Sequence, residues 1–218
     1  MRTIDTHAHI VPQDCLELLP EQLDTRTLVG NMTDVDVRLK EMDESGIEVQ
    51  ALSGFLALLN KDVATARQFN DSLARVVAAP PDRFVGLALA PMAEPEKAPA
   101  ELDRAVNELG MVGVGIASNI NGMNLDAKEL GPFYAKVQEL DIPIFIHPAN
   151  VLGQDRLADW YLSNFIGNVT DTAVAAASII FGGVFQEFPR LKIYLAHGGG
   201  SCPYIRGRWD HGWKAHET

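Results

Sequence analysis

Short apolar runs alternate with helix-like stretches along the whole chain, and that order limits the folds open to it. Strand-like runs occur at about residues 2–8, 47–52, 84–89, 112–116, 142–147 and 191–196. The first helix is capped by Thr33 or Asp34 and stopped by Gly46; the second covers 62–79 before Pro80-Pro81. Further helices are predicted over 95–109, 127–140 and 169–181, with a last one opening after Pro203. Irregular stretches lie at 11–32 and 150–163. A strict βαβα order predicts a parallel sheet with helices outside it. Eight such units close a barrel of about 250 residues, and this sequence offers six in 218. The expected fold is therefore α/β, of the (β/α)8 TIM-barrel type. It forms one domain over residues 1–218, truncated after strand six and incomplete at its C-terminus.

Histidines stand at three of the predicted strand ends. His7 and His9 lie two residues apart in the run Thr3-Ile4-Asp5-Thr6-His7-Ala8-His9-Ile10. Strand residues i and i+2 share a face, so both imidazoles point the same way. His147 ends the run Ile142-Pro143-Ile144-Phe145-Ile146, and His197 follows Leu191 to Ala196. Chemistry in a parallel barrel collects at the C-terminal strand ends, and neutral imidazole is a common metal ligand. A single strand-end histidine is more often structural; three strand ends together point to a metal site. By the same alternation Asp5 shares the face of His7 and His9 one step deeper, either orienting a ligand or serving as a buried structural acid.

Bulk properties narrow the partners. The formal net charge is −11 and the pI about 4.9, which disfavours nucleic acid and anionic membranes. No run approaches the roughly 18 apolar residues needed to span a bilayer, and no secretory signal is visible. Cys15 and Cys202 share no metal-type spacing and read as reduced thiols of a cytoplasmic protein. Gly198-Gly199-Gly200 suits either a backbone cradle for an anion or a tight turn with positive φ. Arg206 and Arg208 read as surface ion-pair residues, His211 and His216 as a solvated tail, and Phe181, Phe185 and Phe188 as packing.

Several segments together resemble a known family. They are Thr3 to His9, Arg38-Leu39-Lys40-Glu41-Met42-Asp43, Arg83-Phe84-Val85-Gly86-Leu87, Ile144-Phe145-Ile146-His147-Pro148, Gly182 to Lys192 and Ala196-His197-Gly198-Gly199-Gly200. In order and spacing the chain is similar to the amidohydrolase superfamily, nearest the aminocarboxymuconate-semialdehyde decarboxylase-like branch. The resemblance implies a barrel with one divalent metal, usually zinc, held by His7, His9 and His147. It makes His197 an acid–base residue. It also implies a substrate-binding arginine in the first long loop, matched by Arg26, and an aromatic residue in the insertion after strand five, matched by Trp160 or Tyr161. The family's strand-eight aspartate ligand has no counterpart here, and Asp210 does not replace it.

The implied chemistry is non-oxidative decarboxylation of a small unsaturated or aromatic carboxylic acid by a metal-bound hydroxide, with His197 returning the proton. The same scaffold would serve a metal-dependent hydrolase or hydratase, or an inactive barrel kept as an assembly module, and the residues leave these open. A half-open barrel leaves apolar surface and strand edges uncovered, so either a homo-oligomer or a longer protein of which this chain is a fragment is expected.

Overall fold

The computed structural model describes residues 3–21, 23, 30–80 and 82–215. Six strands form one sheet in the order β1 (Ile4–Ile10), β2 (Val49–Gly54), β3 (Phe84–Leu89), β4 (Gly113–Ala117), β5 (Pro143–His147) and β6 (Lys192–Leu195). Every neighbouring pair is parallel. The helices are α1 (Gly30–Thr33), α2 (Val35–Ser45), α3 (Val63–Ala78), α4 (Ala98–Asn107), α5 (Gly131–Leu140), α6 (Asn168–Phe181), α7 (Val184–Glu187) and α8 (Cys202–Ala215).

Strand alternation sorts the side chains into two layers. Ala8, Ile10, Leu52, Ala88, Val114, Ile144 and Ile146 belong to the main core with Phe69, Leu73 and Leu102 of the helices. Ala51, Leu87, Phe145 and Ala196 form a smaller cluster on the concave face. The sheet curls into a half-barrel, so that the Tyr194 hydroxyl on β6 donates to the Thr6 carbonyl on β1 (3.3 Å).

The local stop signals act as their chemistry predicts. Asp34 rather than Thr33 caps α2, its carboxylate accepting from the backbone N–H groups of Asp36 and Val37. Gly46 closes that helix in the left-handed region. The Ile47 N–H then turns back to the Met42 carbonyl, which delays β2 to Val49 instead of Ile47. At the other end α8 runs unbroken to Ala215, so His211 lies on a helix and not in a frayed tail; His216 falls outside the described residues.

Two further expectations are corrected. The segment Ser163–Phe181, a π-helical turn continued by α6, is 19 residues long with mean hydropathy 1.2, enough by length and composition to cross a membrane. Its Ala173, Ala175, Ala176 and Ile179 are buried in the fold. The second correction is on β1, where pairing steps from Asp5↔Gln50 to Ala8↔Leu52, three residues against two. This bulge breaks the strict alternation. Asp5 therefore shares the outer, helix-facing side with Gln50, to which it is hydrogen-bonded, and not the face of His7 and His9.

Candidate metal centre

Four imidazoles from three strand ends meet on the concave face. His7 and His9 come from β1, His147 ends β5, and His197 follows β6. Ring centroids are 5.1 Å apart for His7–His9 and His7–His147, 4.6 Å for His9–His147, 5.3 Å for His7–His197 and 5.1 Å for His147–His197. One nitrogen from each of His7, His147 and His197 lies within 4.8 Å of the others. His7 Nε2 and His9 Nε2 are 3.2 Å apart, a contact that either a shared proton or a cation satisfies. Two nitrogens on one tetrahedral zinc, each at about 2.05 Å, would be about 3.4 Å apart.

The opposite ring nitrogens are tethered. His9 Nδ1 lies 3.1 Å from the Gly54 carbonyl and 3.1 Å from Ser53 Oγ, which itself donates to the Ala8 carbonyl. His147 Nδ1 lies 2.9 Å from the Pro148 carbonyl. These partners assign the proton to Nδ1 in both rings and leave each Nε2 with its lone pair. Burial pushes His147 down to about 2, helped by the neighbouring histidines, and His9 down to about 4, with His7 as the next cause. Burial and the charge of His197 lower His7 against the opposing pull of Asp5, and burial alone lowers His197. All four rings are thus neutral near pH 7, the form that ligates a cation, and the donor set fits a divalent metal.

The remaining candidates are placed differently. Asp5 Oδ1 accepts from the His7 backbone N–H (3.0 Å) and its Oδ2 from Gln50 Nε2 (2.9 Å). Arg26 lies outside the described residues. Trp160 is 84% and Tyr161 64% exposed, both with left-handed φ. Among the described residues the ring contact of Tyr161 is to Phe165, and none joins either residue to the histidines. The glycine run forms a turn. His197, Gly198, Gly199 and Gly200 all have positive φ, and the N–H groups of Gly199 and Gly200 are satisfied by Ala196 and His197. Arg206 pairs with Asp210 on the α8 surface at 3.9 Å.

The structure adds residues that the linear pattern missed. Phe145 stacks on Tyr194 (4.8 Å, 19°) and meets the His7 ring at 5.1 Å, forming an apolar floor beneath the imidazoles. Ser53 was recoverable from alternation, since it follows Ala51 on the inner face of β2. Asp171 on α6 is buried and accepts from Ser118 Oγ, Asn119 Nδ2 and the Leu152 N–H. It pins the turn that follows His147, and no local signal marks it. Cys202 lines a separate cleft of about 730 Å3 between α6 and α8, whose lining includes none of the four histidines.

Comparison with known proteins agrees with this geometry. Residues 4–216 match the amidohydrolase family. The 2-amino-3-carboxymuconate-6-semialdehyde decarboxylase of Dictyostelium discoideum is 40% identical over 196 residues, covering 87% of this chain; the chain spans 55% of that protein's length. A solved 2,6-dihydroxybenzoate decarboxylase from Rhizobium is 32% identical with a TM-score of 0.87, covering all of this chain and 74% of the other. A dihydroxybenzoic acid decarboxylase from Polaromonas sp. JS666, solved with bound manganese and the inhibitor 2-nitroresorcinol, is 34% identical with a TM-score of 0.84. It too covers all of this chain, and 72% of its own is matched. The six-stranded half-barrel, its strand-end histidines and the match along residues 4–216 lead to one conclusion: the chain belongs to the amidohydrolase family.

Proposed function

We propose that this chain forms the metal-holding part of a non-oxidative decarboxylase acting on a small aromatic or unsaturated carboxylic acid. The observation that carries this reading is the convergence of four imidazoles on one concave face, with one nitrogen from each of His7, His147 and His197 within 4.8 Å of the others. His7, His9 and His147 hold the ion. When bound, a divalent cation supplies a positive centre that attracts the substrate oxygens and stabilises developing negative charge. His197, the most exposed of the four, takes up a proton from solvent and passes it to the substrate carbon as carbon dioxide leaves, returning to the neutral form. The stacked Phe145 and Tyr194 rings keep water from the floor of the site. The dihydroxybenzoate relatives support an aromatic acid and the carboxymuconate-semialdehyde relative an unsaturated one, and manganese in the Polaromonas structure supports a divalent metal. Imidazole donors suit zinc equally. The two free thiols fit a reducing, cytoplasmic setting.

Titration of chelator-treated protein with Mn2+ and Zn2+ tests the site: one saturable site is expected, lost in His147→Ala. Carbon dioxide release from 2,6-dihydroxybenzoate tests the chemistry. His197→Gln leaves the three holding imidazoles in place, so metal affinity should be retained while turnover falls about 10²- to 10⁴-fold. Absence of any saturable metal site, or unchanged turnover in His197→Gln, overturns the corresponding half of the reading.

A further inference from the structure

The site has a buried charged support on the outer side of β1. Arg38 on α2 is only 4% exposed, and Gln50 on β2 only 8%. The Arg38 guanidinium donates through Nη1 to Gln50 Oε1 (2.9 Å) and through Nη2 to the His9 carbonyl. Gln50 Nε2 donates to Asp5 Oδ2 (2.9 Å), and Asp5 Oδ1 accepts from the His7 N–H (3.0 Å). The polarity of this chain is forced. A guanidinium only donates and a carboxylate only accepts, so Gln50 must face Arg38 with its oxygen and Asp5 with its amide. The two ends close on the backbone of the same three residues, at the His7 N–H and the His9 carbonyl. Those residues adjoin the bulge between Asp5 and Ala8. The bulge is what turns His7 to the inner face although Asp5 lies on the outer one.

We propose that Arg38, Gln50 and Asp5 act as positioning residues that lock the β1 bulge and thereby aim His7 and His9 at a common point. The proposal rests on the reading that these histidines hold a metal, and it explains why a buried guanidinium sits behind the β1 ligand pair. Removing any one member leaves a polar group of the relay without its partner. The bulge then relaxes, and the spacing of the two imidazoles is no longer set.

A polarity swap tests it. Gln50→Glu places two carboxylates face to face, and Asp5→Asn confronts the Gln50 amide with another donor or turns its own donor to the His7 N–H. The double variant Gln50→Glu/Asp5→Asn restores every donor–acceptor pair and the net charge. The carboxylate at position 50 accepts from Arg38 and from the amide at position 5, whose carbonyl accepts from His7. Two readouts are taken on the whole chain: exchange of the His7 amide hydrogen without metal, and Mn2+ affinity. Each single variant should speed His7 exchange at least tenfold and weaken Mn2+ binding about 10- to 100-fold. The double variant should return both to within about threefold of the starting protein. Single variants that lower the melting temperature but leave both readouts unchanged, or a double variant with simply additive losses, would overturn the proposal. If a single variant does not fold, the double variant alone decides: native His7 exchange supports the proposal and an unfolded chain rejects it. If the starting protein binds no Mn2+, the metal reading fails, while the pattern of His7 exchange still decides the relay.

Discussion

His147 and His9 are held neutral by their surroundings, and this sets how the metal-free chain responds to acid. Their folded pKa values, about 2 and about 4, lie below the ordinary 6.5. Between those limits the unfolded chain binds protons that the folded chain refuses. Stability is therefore full above about pH 6.5 and falls as pH drops toward the folded values. Thermal melts of chelator-treated protein should show a declining melting temperature from pH 7 to 4, with a shallower decline in His147→Gln. An equal slope in that variant would remove His147 as the source. Gly200 makes a different demand. It has φ of 60°, and a Cβ placed there would lie 2.4 Å from the Val169 carbonyl oxygen. Gly200→Ala should cost about 1–3 kcal/mol by denaturant titration, because the turn after His197 lies against α6.

Among the elements, α3 and α4 are joined through one buried carboxylate. Glu101 is fully buried and accepts from Asn70 Nδ2, Arg67 Nε and both Nε and Nη2 of Arg104. Asn70 in turn holds the Leu89 backbone at the end of β3 through both its amide atoms. Removal of one partner from such a network leaves the others unpaired in the interior. Glu101→Ala is expected to destabilise the fold by on the order of 3 kcal/mol, far from the histidines, so Mn2+ affinity measured on the remaining folded protein should not change. A similar corner, Asp171 with Ser118 and Asn119, ties β4 to the turn after His147. Neither corner has a sequence signature, since each joins residues more than 30 positions apart that only the packed helices bring together.

At the scale of the whole molecule, the described strands run from β1 to β6 without pairing the first to the last. The Tyr194 hydroxyl reaches the Thr6 carbonyl across that opening. Burial pushes Tyr194 up to about 12, so it remains a donor throughout the physiological range. The cleft between α6 and α8 is lined by Ile180, Phe181, Leu195, Trp209 and Trp213, with Phe181 stacked on Trp213 at 5.4 Å. Apolar surface gathered in this way favours association. Sedimentation velocity should show a concentration-dependent species larger than the 23.8 kDa chain, shifted toward monomer by Phe181→Glu. A single monomeric species at all concentrations would refute the expectation.

Sequence alone determined the order of elements, the parallel sheet and the strand ends that carry His7, His9, His147 and His197. These follow from apolar periodicity, caps such as Asp34 and Gly46, and the face shared by residues two apart, all of which are local. Periodicity also misplaced Asp5, because a bulge of one residue reverses the face and leaves no mark in composition. The tertiary structure decided the rest. It set the distances among the four rings, the depressed pKa values and the exposure of Trp160 and Tyr161. It alone placed Arg38 and Gln50 behind the β1 histidines. Each of these depends on which distant side chains share a volume, and on how much water that volume excludes, properties that belong to the packed chain and to no stretch of it.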